Sequence, residues 1–216
     1  MKGLDPSRSP GSLLCILPRF SRWWRALILC LATAFPSGVT YSQVTPPITS
    51  SGLGTQVSGP MAVGGQAQYN ITGGMRPGGG TNLYHSFGNF NVPTNNIANF
   101  LNNSGLPTSN ILGRITGGNP STIFGMIQTS GFGNANLFLM NPAGFLFGPN
   151  ATLNVGGMVA FTTADYLRLA DGVRFNAVSD AGADAVLSAA PVAAFGFLGS
   201  NPAAIAIQGA MAGIVP

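Results

Sequence analysis

Apolar residues in this chain come in runs of three to five, cut apart by Gly, Pro and Asn, and not in stripes three or four positions apart. "IFGMIQ" (Ile123 to Gln128), "NLFLM" (Asn136 to Met140), "FLF" (Phe145 to Phe147), "TLNV" (Thr152 to Val155) and "MVAFTT" (Met158 to Thr163) are examples. Short runs bounded by turn residues at intervals of roughly eight to ten positions predict an all-β fold. Only residues 164 to 170 ("ADYLRLA") and 180 to 190 ("DAGADAVLSAA") are expected to hold a helical turn or two.

An internal echo narrows the architecture. "NPSTIFG" at 119 to 125, "NPAGFLFG" at 141 to 148 and "NPAAIAIQG" at 201 to 209 share one plan: Asn-Pro, two small residues, an apolar run, then Gly. The first two start 22 residues apart and the next follows after 60, which reads as three further periods of about 20. Such a period fits one coil of a parallel β-helix, each coil adding a strand to two or three sheets. The turn chemistry agrees, since Asn bonds its own backbone, Pro fixes φ and Gly supplies positive φ. Leu, Ile and Phe are then expected inside, with Thr, Asn and Ser outside.

Charge alters this picture in one respect. The 216 residues hold nine Lys or Arg and five Asp or Glu, far below the quarter usual in soluble domains. Lys2, Arg8, Arg19, Arg22 and Arg25 all precede the first long apolar run, and past residue 42 four Arg (Arg76, Arg114, Arg168, Arg174) balance four Asp (Asp165, Asp171, Asp180, Asp184). The net +4 therefore belongs to the leader, which removes the motive for a nucleic-acid partner. That leader, "RFSRWWR" followed by "ALILCLATAF" (Ala26 to Phe35), has the layout of an export signal. Its apolar core is shorter than the ~20 residues a membrane span needs. Residues 1–42 are read as a cleavable signal peptide for the Sec machinery, with Ser42 before Gln43 as the favoured site. Both cysteines, Cys15 and Cys30, lie in it, so no disulfide is expected in the exported domain.

Candidate chemistry is sparse. His85 is the single histidine, and alone it completes neither a triad nor a ligand set; it is read as a polar residue at a strand edge beside Tyr84 and Phe87. The four aspartates resemble the carboxylates of polysaccharide-degrading β-helices, but they fall in the least strand-like part of the chain, whereas paired catalytic acids need a fixed separation on one face. "GGMRPGGG" (Gly73 to Gly80) lacks the Lys-Ser/Thr of a phosphate loop and reads as a turn. Phe87, Phe90, Phe138, Phe145 and Phe147 are expected to stack in the solenoid core. No catalytic residue, metal site or cofactor is assigned, and no enzyme is expected.

Three segments carry a resemblance: "LYHSFGNFNV" (Leu83 to Val92), "ILGRITGGNPSTIFGMIQ" (Ile111 to Gln128) and "ANLFLMNPAGFLFGPNATLNVGGMVAFTTAD" (Ala135 to Asp165). In order and chemistry the chain resembles, from about Gln66 to Gly209, the N-terminal secretion domain of filamentous haemagglutinin-like exoproteins. That family's two Asn-Pro motifs fall here on Asn119, Pro120, Ser121 and Thr122, and on Asn141, Pro142, Ala143, Gly144 and Phe145. The first keeps only its Asn-Pro; the second has Ala143 and Phe145 where the family has Asn and Ile.

The resemblance implies a right-handed parallel β-helix with N-terminal capping strands and a small extra-helical β element. It implies an address read by an outer-membrane barrel transporter with periplasmic domains, which starts export and templates β-helix folding. Asn119, Pro120, Asn141, Pro142 and Gly144 are the residues expected to be read by that transporter or to hold the motif turns. The domain is expected over 43–200, with 201–216 beginning a further coil or a truncated passenger, and the product secreted or at the cell surface, where a passenger could meet a host or neighbouring cell. The alternative is a free-standing adhesive or structural β-helix outside the cell.

Overall fold

The structure, a computed structural model, describes residues 46–209; the expected signal segment lies outside the described residues. The chain opens with β1 (Ile48–Gly52) and β2 (Thr55–Val63), then winds through β3 (Gln66–Gly73), β4 (Asn82–Phe90), β5 (Asn96–Leu101), β6 (Asn110–Ile115), β7 (Ser121–Ile123), β8 (Met126–Ser130), β9 (Asn136–Met140), β10 (Phe145–Phe147), β11 (Thr152–Asn154) and β12 (Val159–Thr162). It leaves the coil for β13 (Tyr166–Leu169), β14 (Arg174–Asn176), α1 (Ala181–Ala185) and β15 (Val192–Gly196), and returns as β16 (Ile205–Ile207).

These strands stack into a β-solenoid of about three turns. Sheet A has the order β1-β4-β6-β9-β12, sheet B β2-β3-β5-β8-β11 and sheet C β7-β10-β16, while β14-β13-β15 form a separate antiparallel sheet D. Coil-to-coil pairing is parallel throughout. The exceptions sit at the N-terminal end, where β1 pairs with β4 and β2 with β3 in antiparallel fashion. These two strands cover the start of sheets A and B, and a register break in β2 between Ser58 and Met61, around Pro60, blunts its outer edge.

Alternation along sheet A sorts residues onto two faces. Leu83, Phe87, Ile111, Ile115, Leu137 and Leu139 point into the solenoid core with Ile71, Phe100, Ile127, Phe145 and Phe147. The intervening Tyr84, Leu112, Phe138 and Met140 point outward and pack against Leu167, Leu169, Phe175 and Leu187 of the excursion. "NLFLM" lacks polar alternation because both of its faces are buried. Phe138 is thus not a solenoid-core residue as expected; it belongs to the outer cluster beneath sheet D.

Asn faces outward as expected, but on sheet A that outer face is covered and not solvated. Asn82, Asn110 and Asn136 open successive sheet A strands and form a ladder: the Asn110 amide donates to Asn82 Oδ1 (2.9 Å) and the Asn136 amide to Asn110 Oδ1 (3.0 Å). Asn136 Oδ1 accepts from the Met158 N–H at 3.0 Å, which carries the ladder to the next coil. The bonded positions are 28, 26 and 22 residues apart, so the coils shorten along the axis. A second chain runs along sheet B, with Asn99 donating to Asn70 Oδ1 at 2.8 Å and Ser130 to Asn99 Oδ1 at 2.7 Å.

Two further expectations change. The 60-residue gap between the second and third echoes is not three coils: Phe145 pairs directly with Ile205, so β10 and β16 are neighbours. The gap holds β11, β12 and the whole extra-helical excursion. Residues 166–169 are a strand, not a helical turn, because Leu167 and Leu169 alternate with exposed Arg168 over an apolar surface. The helix expected within 180–190 is present as α1, N-capped by Asp180 Oδ1 accepting from Ala183 N at 2.8 Å.

Asn110→Ala removes the middle rung of the ladder and leaves the buried Asn82 carbonyl without its donor. We expect a loss of about 2–3 kcal/mol in urea unfolding, against under about 1.5 kcal/mol for Asn136→Ala at the half-exposed rung. Equal losses at both positions would show that the ladder is not carried by burial.

Candidate functional site

Both Asn-Pro motifs lie at the corner between sheets A and C, one coil apart, but their asparagines differ in kind. Asn141 is buried, at 1 % exposure. Its Nδ2 donates to Asn119 O and Ser121 Oγ, both at 3.0 Å, and its Oδ1 accepts from Ala143 N at 3.0 Å. Its main-chain carbonyl accepts from Gly144 N at 2.9 Å, closing the turn. Gly144 has φ +108, and a Cβ there would lie 2.7 Å from Ala204 O, so no other residue fits this corner without displacing the β16 coil. Asn119 and Pro120 are exposed and Pro142 half-buried; the Asn119 side chain makes one long bond, to Gly117 O at 3.4 Å.

Beside these turns runs an open groove of about 370 Å³, lined by Ile115, Thr116, Asn141, Pro142, Val178 and Ser179 among others. One wall is the stack of corners and the other is the segment between β14 and α1. The groove carries no charged lining residue, and its Asn141 amide is fully used between its own turn and the preceding coil. Val178 forms its lip, 78 % exposed.

His85 is in mid-strand, with β4 paired on both sides by β1 and β6, and not at an edge as expected. The ring stacks on Phe87 (5.9 Å) and meets Phe100 edge-on (5.7 Å). Gly74, at φ +85, closes over it, since a Cβ there would lie 2.9 Å from His85 Cε1. Thr55 Oγ1 accepts the Ser86 N–H at 2.9 Å and shares a hydrogen bond with His85 Nδ1 at 3.2 Å. Burial, and secondarily the Arg76 charge, push the imidazole pKa from 6.5 down to about 3. The ring is therefore a neutral core residue at ordinary pH. In the "GGMRPGGG" turn, Arg76 NH2 donates to Thr108 Oγ1 at 2.6 Å, and its NH1 donates to Pro107 O at 3.3 Å.

Each aspartate accepts a hydrogen bond within the fold. Asp165 Oδ2 accepts from Leu198 N (2.6 Å), Asp171 Oδ1 from Val173 N (3.1 Å) and Asp180 caps α1. Asp184 reaches Arg114 through two bonds of 2.7 Å. Among the described residues no cluster of three His, Cys, Asp or Glu is placed to hold a metal ion.

Arg114 is the residue that the sequence treated only as a charge. It is 0 % exposed, on the outer face of β6. Nε donates to Ser86 Oγ (2.9 Å), NH1 also to Asn176 O (3.2 Å) and NH2 also to Ser179 Oγ (2.9 Å). With the Asp184 pair all five N–H groups are partnered, and the guanidinium lies 5.3 Å from the Phe175 ring centre. Its one sequence signal is a lone Arg inside the apolar run "ILGRI"; a partner 70 residues away leaves none.

Compared with known families, residues 47–215 match the family model described as TPS secretion domain. No curated protein matches the chain.

The depressed His85 pKa sets a pH dependence. Unfolding frees a ring that takes up a proton below about pH 6.5, so the unfolded state binds more protons and stability falls as pH drops toward 4. Between pH 7 and 4.5 His85 is expected to remove about 2–3 kcal/mol. His85→Gln should be less stable at pH 7 but flatter by that amount in pH-dependent urea titrations. Parallel profiles for the two proteins would refute a neutral buried ring.

Proposed function

Because the chain belongs to the TPS secretion domain family, we propose that its corner of Asn-Pro turns is the address that an outer-membrane transporter reads. The family implies two-partner secretion of an exoprotein across the outer membrane of Gram-negative bacteria through such a transporter, and its domains are generally non-catalytic. The observation that carries the finer reading is the split within the motifs. Asn141 and Gly144 are consumed in holding the corner, while Asn119 and Pro120 stand exposed above it, next to an uncharged groove. Side chains already bonded inside the fold have nothing left to offer a partner; those above them do. In this reading Asn141, Pro142 and Gly144 shape the surface, and Asn119, Pro120 and the Val178 lip meet the transporter's periplasmic domains.

The solenoid's two ends support the second half of the proposal, that the domain templates further coils C-terminal to it. The start of sheets A and B is covered by antiparallel strands. Among the described residues β11, β12 and β16 each keep one edge without a partner strand. At the opposite end β1 and β2 offer antiparallel strands and β7 meets the Val92–Ile123 bridge, so these C-terminal edges are the ones in line for a further parallel coil.

The test is secretion from a two-plasmid bacterial host, with and without the cognate barrel. Asn119→Ala/Pro120→Ala is expected to keep wild-type unfolding and to reduce barrel-dependent release at least tenfold. Asn141→Ala is expected to lose about 2–3 kcal/mol of stability, since it strands buried polar partners. Full release of the double variant would remove the exposed turn as the read surface. Release without the barrel would instead favour the free-standing adhesive β-helix.

A further inference from the structure

In an ordinary solenoid each coil touches only its neighbours, so stability builds by local increments and folding can proceed along the chain. The excursion between β12 and β16 breaks that locality. On the first coil, the Asn82 amide donates to Ala190 O (2.8 Å) and Ser188 O (3.2 Å), and the Tyr84 hydroxyl to Ser188 O (2.7 Å). On the second, Arg114 reaches Asn176 O, Ser179 Oγ and Asp184. On the third, Phe138 and Met140 lie in the same apolar cluster as Leu167, Phe175 and Leu187. Gly80 belongs to the same contact: a Cβ there would lie 2.5 Å from Ala189 Cβ. One segment thus touches three successive coils on one face.

We propose that residues 163–191 form a staple that closes last and makes the first three coils a single cooperative folding unit, with the Arg114–Asp184 pair deciding whether it closes. Sequence separation sets the order. The ladder bonds that stack one coil on the next span 22 to 31 residues, whereas the polar bonds of the staple span 62 to 108. Longer loops must be closed before their contacts contribute. Until closure, Tyr84, Leu112, Phe138 and Met140 form an uncovered apolar strip, and Arg114 is solvated beside it.

Closure takes the guanidinium out of water entirely, which is tolerable only if a counter-charge and bonds for all five N–H groups arrive with it. Asp184 brings the charge; Ser179 and Asn176 complete the set. The staple is selective for its own seating, because a slipped register buries the cation without its carboxylate. This inference rests on the fold alone and stands or falls independently of the transporter reading.

Native-state amide hydrogen exchange on the full chain tests it. In the wild type, the slowest amides of β4, β6 and β9 should share one opening equilibrium with those of β13 and β14. Asp184→Ala should reduce protection at least 100-fold in both sets together. Arg114→Met/Asp184→Ala, which removes the stranded cation, should recover at least tenfold over Asp184→Ala alone. Should Asp184→Ala not fold, a folded double variant supports the pair as the deciding contact, and an unfolded one overturns it. Wild-type protection of β4, β6 and β9 in Asp184→Ala, with residues 163–191 open, would show that the coils fold without the staple. A double variant no better than the single one would remove the pair from its deciding role.

Discussion

Sheet A is buried on both faces, by the solenoid core on one side and the extra-helical sheet on the other, and a doubly buried strand must give every polar group it carries a partner. Asn82, Ser86, Asn110 and Arg114 all lie on its outer face, at 8 % exposure or less, and no buried side-chain nitrogen or oxygen among the described residues is left without a hydrogen bond. The asparagine ladder, the Tyr84 hydroxyl and the five-bonded guanidinium are all answers to that one requirement. It also places the charges: six of the eight charged residues past position 42 fall between Asp165 and Asp184, in the segment that covers this face. The coils themselves are almost uncharged because their polar inventory is amide and hydroxyl, which bond between rungs without repulsion.

The Tyr84 phenol shows how dry the interface is. Burial pushes its pKa up to about 12, with the Asn82 hydrogen bond pulling the other way, while its proton goes to Ser188 O. A hydroxyl in that setting stays neutral, donating to Ser188 O while it accepts from Asn82 Nδ2 at 3.2 Å. Its ring meets Phe175 edge-on at 5.1 Å, so the same side chain supplies apolar contact and a directed bond to the far end of the excursion. Arg114 combines the two roles in the same way, through its pair with Asp184 and its place over Phe175.

Much of the coil was legible because turn chemistry and strand length are local. The runs at Asn136–Met140 and Phe145–Phe147 are strands with those bounds, since Gly, Pro and Asn fix both ends. "IFGMIQ" was one run in the sequence but spans a corner, with β7 ending at Ile123 and β8 starting at Met126; Gly125 lets the chain turn where apolar pattern alone predicts continuity. What was not legible is non-local. Nothing near Asn82 announces a bond to Ala190, and nothing near Arg114 announces Asp184. Period counting failed for the same reason, because an excursion packed on the outside adds residues without adding a coil. At the motif turns, the sequence placed Asn119 and Asn141 on equal footing; the difference is that the Asn141 side chain turns inward to bond its own turn and the preceding coil, whereas that of Asn119 stays exposed and reaches only Gly117 O.

The two ends of the solenoid give the domain a direction, and the staple gives it a threshold. Antiparallel β1 and β2 oppose parallel growth at the N-terminal end, and the break around Pro60 spoils the outer edge of β2 for pairing. At the other end the coil has narrowed to 22 residues, and the chain detours through sheet D before β16 resumes the stack on β10. The next strand after β12 is thus laid down only after the residues that cover the first three coils have passed. In chain order the cover of the first coils comes before the strand that resumes the stack, so the base can be consolidated before that strand is added to it. For a domain of a secreted exoprotein, a base that folds as one unit is harder to lose than three coils that open one at a time, since opening must then undo the whole unit at once.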